Sequence, residues 1–195
     1  MTWKINSYYE ILNRLTQHIA VTDKTGRSMD IQSGFEKSVC LLTECGKSDG
    51  KLMFIGNGAS ASISSHMGVD FWKHAGIKAT AFNDPSLLTC VSNDYGYDQV
   101  FVKPIEMFAN KEDILIAISS SGKSINILNA VKAAQSKFVK VITLTGFSES
   151  NPLRKSGDIN FYVPIDRYSH IEIIHHSICH YILDIIIDEK ENRCY

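Results

Sequence analysis

Residues 51–74 read KLMFIGNGASASISSHMGVDFWKH. A short apolar run, LMFI, stops at Gly56-Asn57-Gly58 and gives way to alanines and serines. That order predicts a buried strand turning sharply into a helix, because small residues at such a junction let backbone close around an anion. Strand-like runs recur at KLMFIG, KATAF, DILIAIS, KVITLTG and INFYVP, separated by helical stretches near 60–75, 98–109, 123–136 and 150–156. A long helix over about 169–190 closes the chain. Short apolar strands alternating with helices imply a parallel sheet covered on both faces, since parallel strands need crossover connections. The expected fold is α/β: a three-layer α-β-α sandwich around a roughly five-stranded parallel sheet.

Upstream, residues 5–21 and 29–47 carry apolar side chains at helical spacing: Tyr9, Ile11, Leu12 and Leu15, then Phe35, Val39 and Leu42. They read as a helical hairpin joined by the polar stretch TDKTGRS. The expected organisation is an N-terminal helical arm over 1–48 and one compact unit over 49–195.

The totals narrow the function. The 195 residues are 44% hydrophobic, enough for one domain with a sizeable core, and the formal net charge is −1. Without a basic stripe, nucleic acid and anionic membranes are not expected partners. The N-terminus, MTWKINSYYEILNRL, lacks an uninterrupted apolar run, so no signal peptide is expected. YILDIIID is broken by Asp184 and too short to span a bilayer. Five cysteines (Cys40, Cys45, Cys90, Cys179 and Cys194) have no CxxC spacing. They read as reduced thiols in a cytoplasmic protein rather than as a zinc finger or disulfide framework.

Ligands of open α/β sheets sit beyond the carboxyl ends of the strands. That rule selects four loops: GNGAS, FNDPS, SSSGKS and TGFSES. Gly56-Asn57-Gly58-Ala59-Ser60-Ala61 satisfies G-x-G-x-x-A, a weak dinucleotide fingerprint that leaves the other loops unexplained. Ser121-Gly122-Lys123-Ser124 resembles the end of a P-loop, but the first glycine of that motif would fall at Ala117. The third reading is a phosphate held by Ser119, Ser120, Ser121 and Ser124 at a helix N-terminus, against plain N-capping by one serine.

His66 and Asp70 are four residues apart and share a helix face. In the last helix Glu172, His176 and His180 repeat at the same spacing, while Ile171, Ile174, Ile178, Ile182 and Ile185 lie towards another side. Histidine and carboxylate together can bind zinc, with His66, Asp70, Glu172 and His180 as a four-ligand set, or move protons as acid and base. Solvated polar faces on surface helices are the plainer alternative. His170 and His175 carry no assignment.

Taken together, FIGNGAS with His66 and Asp70, VSNDYGYD, ISSSGKS, VITLTG and a C-terminal Glu172–His180 helix resemble the SIS (sugar isomerase) domain, most closely in its phosphoheptose isomerase branch. The likeness covers about residues 50–187, and the leading helices match the N-terminal arm of that family. It implies a ketose–aldose isomerase converting sedoheptulose 7-phosphate to D-glycero-D-manno-heptose 7-phosphate for bacterial lipopolysaccharide or capsule synthesis. It implies a homotetramer with sites at subunit interfaces and no nucleotide cofactor. Its sugar-contacting positions fall on Asn57, Gly58, Ala59, Asn93 and Asp94, and its phosphate loop on Ser119, Ser120, Ser121 and Ser124. Its metal and acid/base positions fall on His66, Asp70, Glu172 and His180. Asp70 and His180 are then the catalytic pair, Glu172 also faces the substrate, and one zinc ion per subunit would polarise the carbonyl.

Four positions depart from the family pattern. Asp70 replaces a glutamate, Glu172 a glutamine, Ala59 the second glycine of a pair, and His74 an arginine. Besides the heptose isomerase, these leave open an isomerase of another sugar phosphate and a non-catalytic sugar-phosphate-binding or partner-docking protein.

Overall fold

A computed structural model describes residues 4–193, so Cys194 lies outside the described residues. Five strands run parallel as the alternating pattern requires: β3 (Lys51–Gly56), β4 (Lys78–Ala81), β5 (Ile114–Ser119), β6 (Lys140–Thr145) and β7 (Ile159–Tyr162). Two further strands, β1 (Ala20–Asp23) and β2 (Ser28–Met29), extend the sheet to seven in the order β2-β1-β7-β6-β5-β3-β4. Around it lie α1 (Ile5–Thr16), α2 (Ile31–Lys47), α3 (Ala59–Asp70), α4 (Pro85–Tyr95), α5 (Val102–Phe108), α6 (Ile125–Ser136) and α7 (Tyr168–Glu191). Among the described residues no helix is long and apolar enough to cross a membrane.

Successive side chains of a strand point to opposite faces, and β3 shows the result. Leu52 and Phe54 join a core with Leu42, Met67, Phe71, Ile174 and Ile178, beneath α2, α3 and α7. Met53 and Ile55 join a second core with Ile105, Ile127 and Val131, beneath α5 and α6. The three layers follow from a strand that is apolar on both faces, Leu52 to Ile55 being buried throughout.

The polar stretch expected to link two helices is instead the turn of a β-hairpin. The Asp23 carboxylate accepts hydrogen bonds from Thr25 N, Thr25 Oγ1 and Arg27 N. Gly26 supplies the left-handed turn residue at φ +81°. β1 then pairs antiparallel with β7, Val21 opposite Phe161. Buried Asn160 fastens the join, its Nδ2 donating to Thr22 O at 3.3 Å.

A helix not expected from the pattern, α4, starts at FNDPS. Asp84 caps it by accepting from Ser86 N and Leu87 N, with Pro85 in the first turn. The stretch near 150–156 is only a single tight turn, Leu153–Lys155. Cys40 and Cys90 are exposed free thiols, whereas Cys45 and Cys179 are buried. Burial pushes the Cys45 thiol up to about 11 and the Cys179 thiol up to about 12.

Candidate active site

β3 ends on Gly56, and the chain turns through Asn57 and Gly58 into α3. Gly56 is required by packing, since a Cβ there would lie 2.6 Å from the Ser60 carbonyl carbon. Gly58 is required by conformation: at φ +56°, ψ −125° it occupies a region that side chains avoid. β5 ends on Ser119, and Ser120–Ser124 lead into α6. Gly122, at φ +63°, closes that loop by donating its N–H to Ser119 O at 3.0 Å.

The loop serines do not act as caps. Asp30 and Asp84 accept backbone N–H groups at the starts of α2 and α4. In contrast, α3 and α6 begin at Gly58 and Ser124 with no side-chain cap bond. Ser124 Oγ lies instead 3.4 Å from Ser119 Oγ. Both uncapped ends border one cavity of about 270 Å³, walled by Asn57–Ser60, Ser119–Ser121 and Ser124, with Tyr168 and Glu172 from α7. Two positive helix ends and the four hydroxyls of the serine loop around one space suit a phosphate.

Asn126 and Tyr97, which the sequence did not single out, brace this cavity. Asn57 Nδ2 donates to Asn126 Oδ1 at 3.0 Å, and Asn126 Nδ2 returns a bond to Asn57 Oδ1 at 2.9 Å. Tyr97 Oη donates to the same Asn57 oxygen at 3.0 Å. The two loops are thereby fixed to each other. Tyr97 lies within the VSNDYGYD stretch, whereas Asn126 carried no sequence signal beyond being a polar residue in the first turn of α6, where the structure buries it. Asn93 and Asp94 lie exposed on the last turn of α4, bonded to each other, and do not line the cavity.

Ala59 and Glu172 also border a shallower groove between α3 and α7 that holds His66, His176 and His180. The three histidines each offer a nitrogen, all within 4.8 Å of one another. His66 Nδ1 lies 2.9 Å from His176 Nε2, and the His176 and His180 ring centroids are 4.5 Å apart. Asp70 Oδ2 lies 3.3 Å from the other nitrogen of His66, Nε2. Of the four residues expected around a metal, His66 and His180 come together. His176 joins them, Asp70 stands behind His66, and Glu172 sits where the groove and the serine-lined cavity meet. Burial holds the His176 imidazole below its ordinary value, with the neighbouring His180 and His66 adding to the effect.

His170 and His175 are fully buried and take no part in the groove. His175 Nε2 contacts Thr145 O at 3.1 Å, and burial pushes its imidazole down to about 4, so it is a neutral core residue. The His170 ring packs on Tyr8 of α1, with centroids 4.4 Å apart.

The SIS domain family description matches residues 12–146. A phosphoheptose isomerase of Sodalis glossinidius is 39% identical over 167 residues, 83% of this chain and 84% of that protein. One from Vibrio vulnificus is 35% identical over 187 residues, 93% and 97% of the two chains. The solved phosphoheptose isomerase of Francisella tularensis superposes with a TM-score of 0.83 at 32% identity, covering 97% of this chain and all of its own. The chain belongs to the SIS-domain family and, within it, to the phosphoheptose isomerases.

Proposed function

We infer that this chain is a ketose–aldose isomerase that converts sedoheptulose 7-phosphate to D-glycero-D-manno-heptose 7-phosphate for heptose biosynthesis. The observation that carries the reading is continuity. The serine-lined cavity, whose chemistry suits a phosphate, shares Ala59 and Glu172 with a groove of imidazoles.

In this reading the phosphate rests on the N–H groups of α3 and α6 and on Ser119, Ser120, Ser121 and Ser124. Anchoring there fixes the far end of the sugar beside α3 and α7. The isomerisation moves one proton from C1 to C2 through an enediol, while a second proton leaves the C1 hydroxyl and the C2 oxygen gains one. Asp70 is the assigned carbon base: it takes the C1 proton and returns it to C2. His180 acts at the sugar oxygens as an N–H donor, and would be among the residues that hold an ion were one bound. Asn57, Gly58 and Ala59 contact the sugar, and Glu172 lies at the junction. Asn93 and Asp94 are assigned to sugar contact on the family pattern alone.

The donor set in the groove fits zinc, which prefers imidazole and carboxylate ligands in a compact array. When bound, zinc would polarise the sugar carbonyl. His66, His180, Asp70 and Glu172 are the residues the family pattern puts near it. A homotetramer with sites between subunits also belongs to this reading. Exposed Trp72, Tyr95, Met107 and Phe108 offer apolar surface for such contacts. Supply of heptose for lipopolysaccharide or capsule, in the cytoplasm, completes it.

The test is incubation with sedoheptulose 7-phosphate, with and without zinc, following the aldose C1 proton by NMR. Aldose formation is the expected result. Ligand-induced stabilisation without turnover would replace the isomerase with a sugar-phosphate-binding protein.

A further inference from the structure

The groove holds one imidazole more than the family positions require. We propose that in this chain the ion's protein ligands are three histidines, His66, His176 and His180, with Asp70 outside the ligand shell as a positioning residue for His66. The proposal rests on the reading of the groove as an ion site and changes which side chains build it.

Three observations lead there. First, among the described residues these three histidines are the one group whose donor atoms converge within 4.8 Å; neither Asp70 nor Glu172 belongs to it. Tetrahedral zinc with nitrogen ligands at about 2.0–2.1 Å needs donors about 3.4 Å apart, so small side-chain rotations bring the trio to that spacing. Second, Asp70 approaches the wrong side of His66 to share an ion with it. Its carboxylate lies against Nε2, whereas Nδ1 faces His176 at 2.9 Å. A carboxylate beside Nε2 favours the proton on that nitrogen and leaves the Nδ1 lone pair pointing into the trio. Metal-binding histidines are commonly held in this way by a carboxylate on the other ring nitrogen. Third, α7 places His176 one turn before His180 and one turn after Glu172, all bordering the groove, while the neighbouring Ile174, His175, Ile178 and Cys179 are buried. Helical periodicity therefore points two imidazoles of α7 at the one from α3.

The consequence for the reaction is specific. A carboxylate bound to a divalent ion is a weak base, because the ion competes with the proton for its lone pairs. With His176 as third ligand, Asp70 would stay off the ion and its carboxylate would remain available to take the C1 proton. Three protein ligands also leave the fourth position open for a sugar oxygen.

The test uses the full-length protein stripped of metal with a chelator. Zinc affinity is measured by competition with a coloured chelator, and the visible absorption of the cobalt(II)-loaded protein reports the ligand set independently of turnover. His176→Ala and the conservative His176→Gln should each weaken zinc binding by about a hundredfold or more and change the cobalt bands. Asp70→Asn should weaken binding only by the roughly tenfold of an outer partner and leave the bands in place. Thermal melts of the metal-free variants confirm that each folds. If His176→Ala binds zinc like the wild type while His66→Ala does not, the three-histidine shell is overturned and the ion site stands. If Asp70→Asn alters the cobalt bands as a ligand loss does, the proposal also fails. A wild-type protein that binds no ion yet turns over sugar in chelator sinks the proposal and leaves the isomerase intact.

Discussion

Gly122→Ala is the substitution whose cost follows most directly from the geometry of the serine loop. Gly122 sits at φ +63°, where a left-handed backbone costs a side-chain-bearing residue roughly 1–2 kcal/mol. A Cβ there would also overlap the Asn151 amide and come within 2.9 Å of Asn151 Cβ. Asn151 is fully buried and cannot swing into solvent. Its Nδ2 donates to Ser148 O at 2.8 Å and to Gly146 O at 3.3 Å, and its Oδ1 accepts from Arg154 N at 2.9 Å. Displacing it forfeits up to three hydrogen bonds worth about 0.5–1.5 kcal/mol each. Backbone strain and lost bonds together come to roughly 3–6 kcal/mol. For a chain of this length that lowers Tm by about 10–20 °C. Thermal denaturation followed by circular dichroism measures the shift. Asn151→Ala separates the two causes, because in its background Gly122→Ala should cost only the roughly 1–2 kcal/mol of backbone strain. A Tm within about 3 °C of wild type for Gly122→Ala, or full additivity of the two substitutions, would refute the reasoning.

Three further outcomes are expected. Ser121→Ala combined with Ser124→Ala removes two neutral donors from the serine-lined cavity and should raise KM by roughly two to four orders of magnitude, since hydrogen bonds to charged groups carry about 1.5–3 kcal/mol each and 1.4 kcal/mol is about tenfold; an unchanged KM would separate this loop from phosphate. His180→Ala should abolish turnover with little change in the circular dichroism spectrum, because the ring is only half-buried at the groove edge; retained activity removes it from the mechanism. In a Cys194→Ser background, Cys45 and Cys179, whose thiols are pushed up to about 11 and about 12 by burial, should resist a thiol reagent at pH 8 until the protein is denatured. Reaction of either thiol in the folded protein would contradict the packing described for α2 and α7.

The parallel core of the sheet was legible because its strands are short, largely apolar on both faces and separated by helical periodicity. β3 to β7 came from local pattern alone, and so did the glycine turn at Gly56–Gly58, since close packing and left-handed backbone both select glycine. The serine loop could be read from sequence as an anion site or as plain capping, and only the structure showed that α3 and α6 start without side-chain caps around one space. The β1–β2 hairpin escaped because its pairing depends on β7, with Asn160 bonded to Thr22 across 138 positions of sequence. A four-residue strand beside a polar turn carries no periodic signal of that contact. The groove shows the same limit from the other direction. Spacing along α7 places Glu172, His176 and His180 on one side of the helix, yet spacing within one helix cannot say which of them a second helix approaches. The crossing of α3 and α7 decided that, bringing His66 to His176 and His180 and turning Asp70 onto the outer nitrogen of His66.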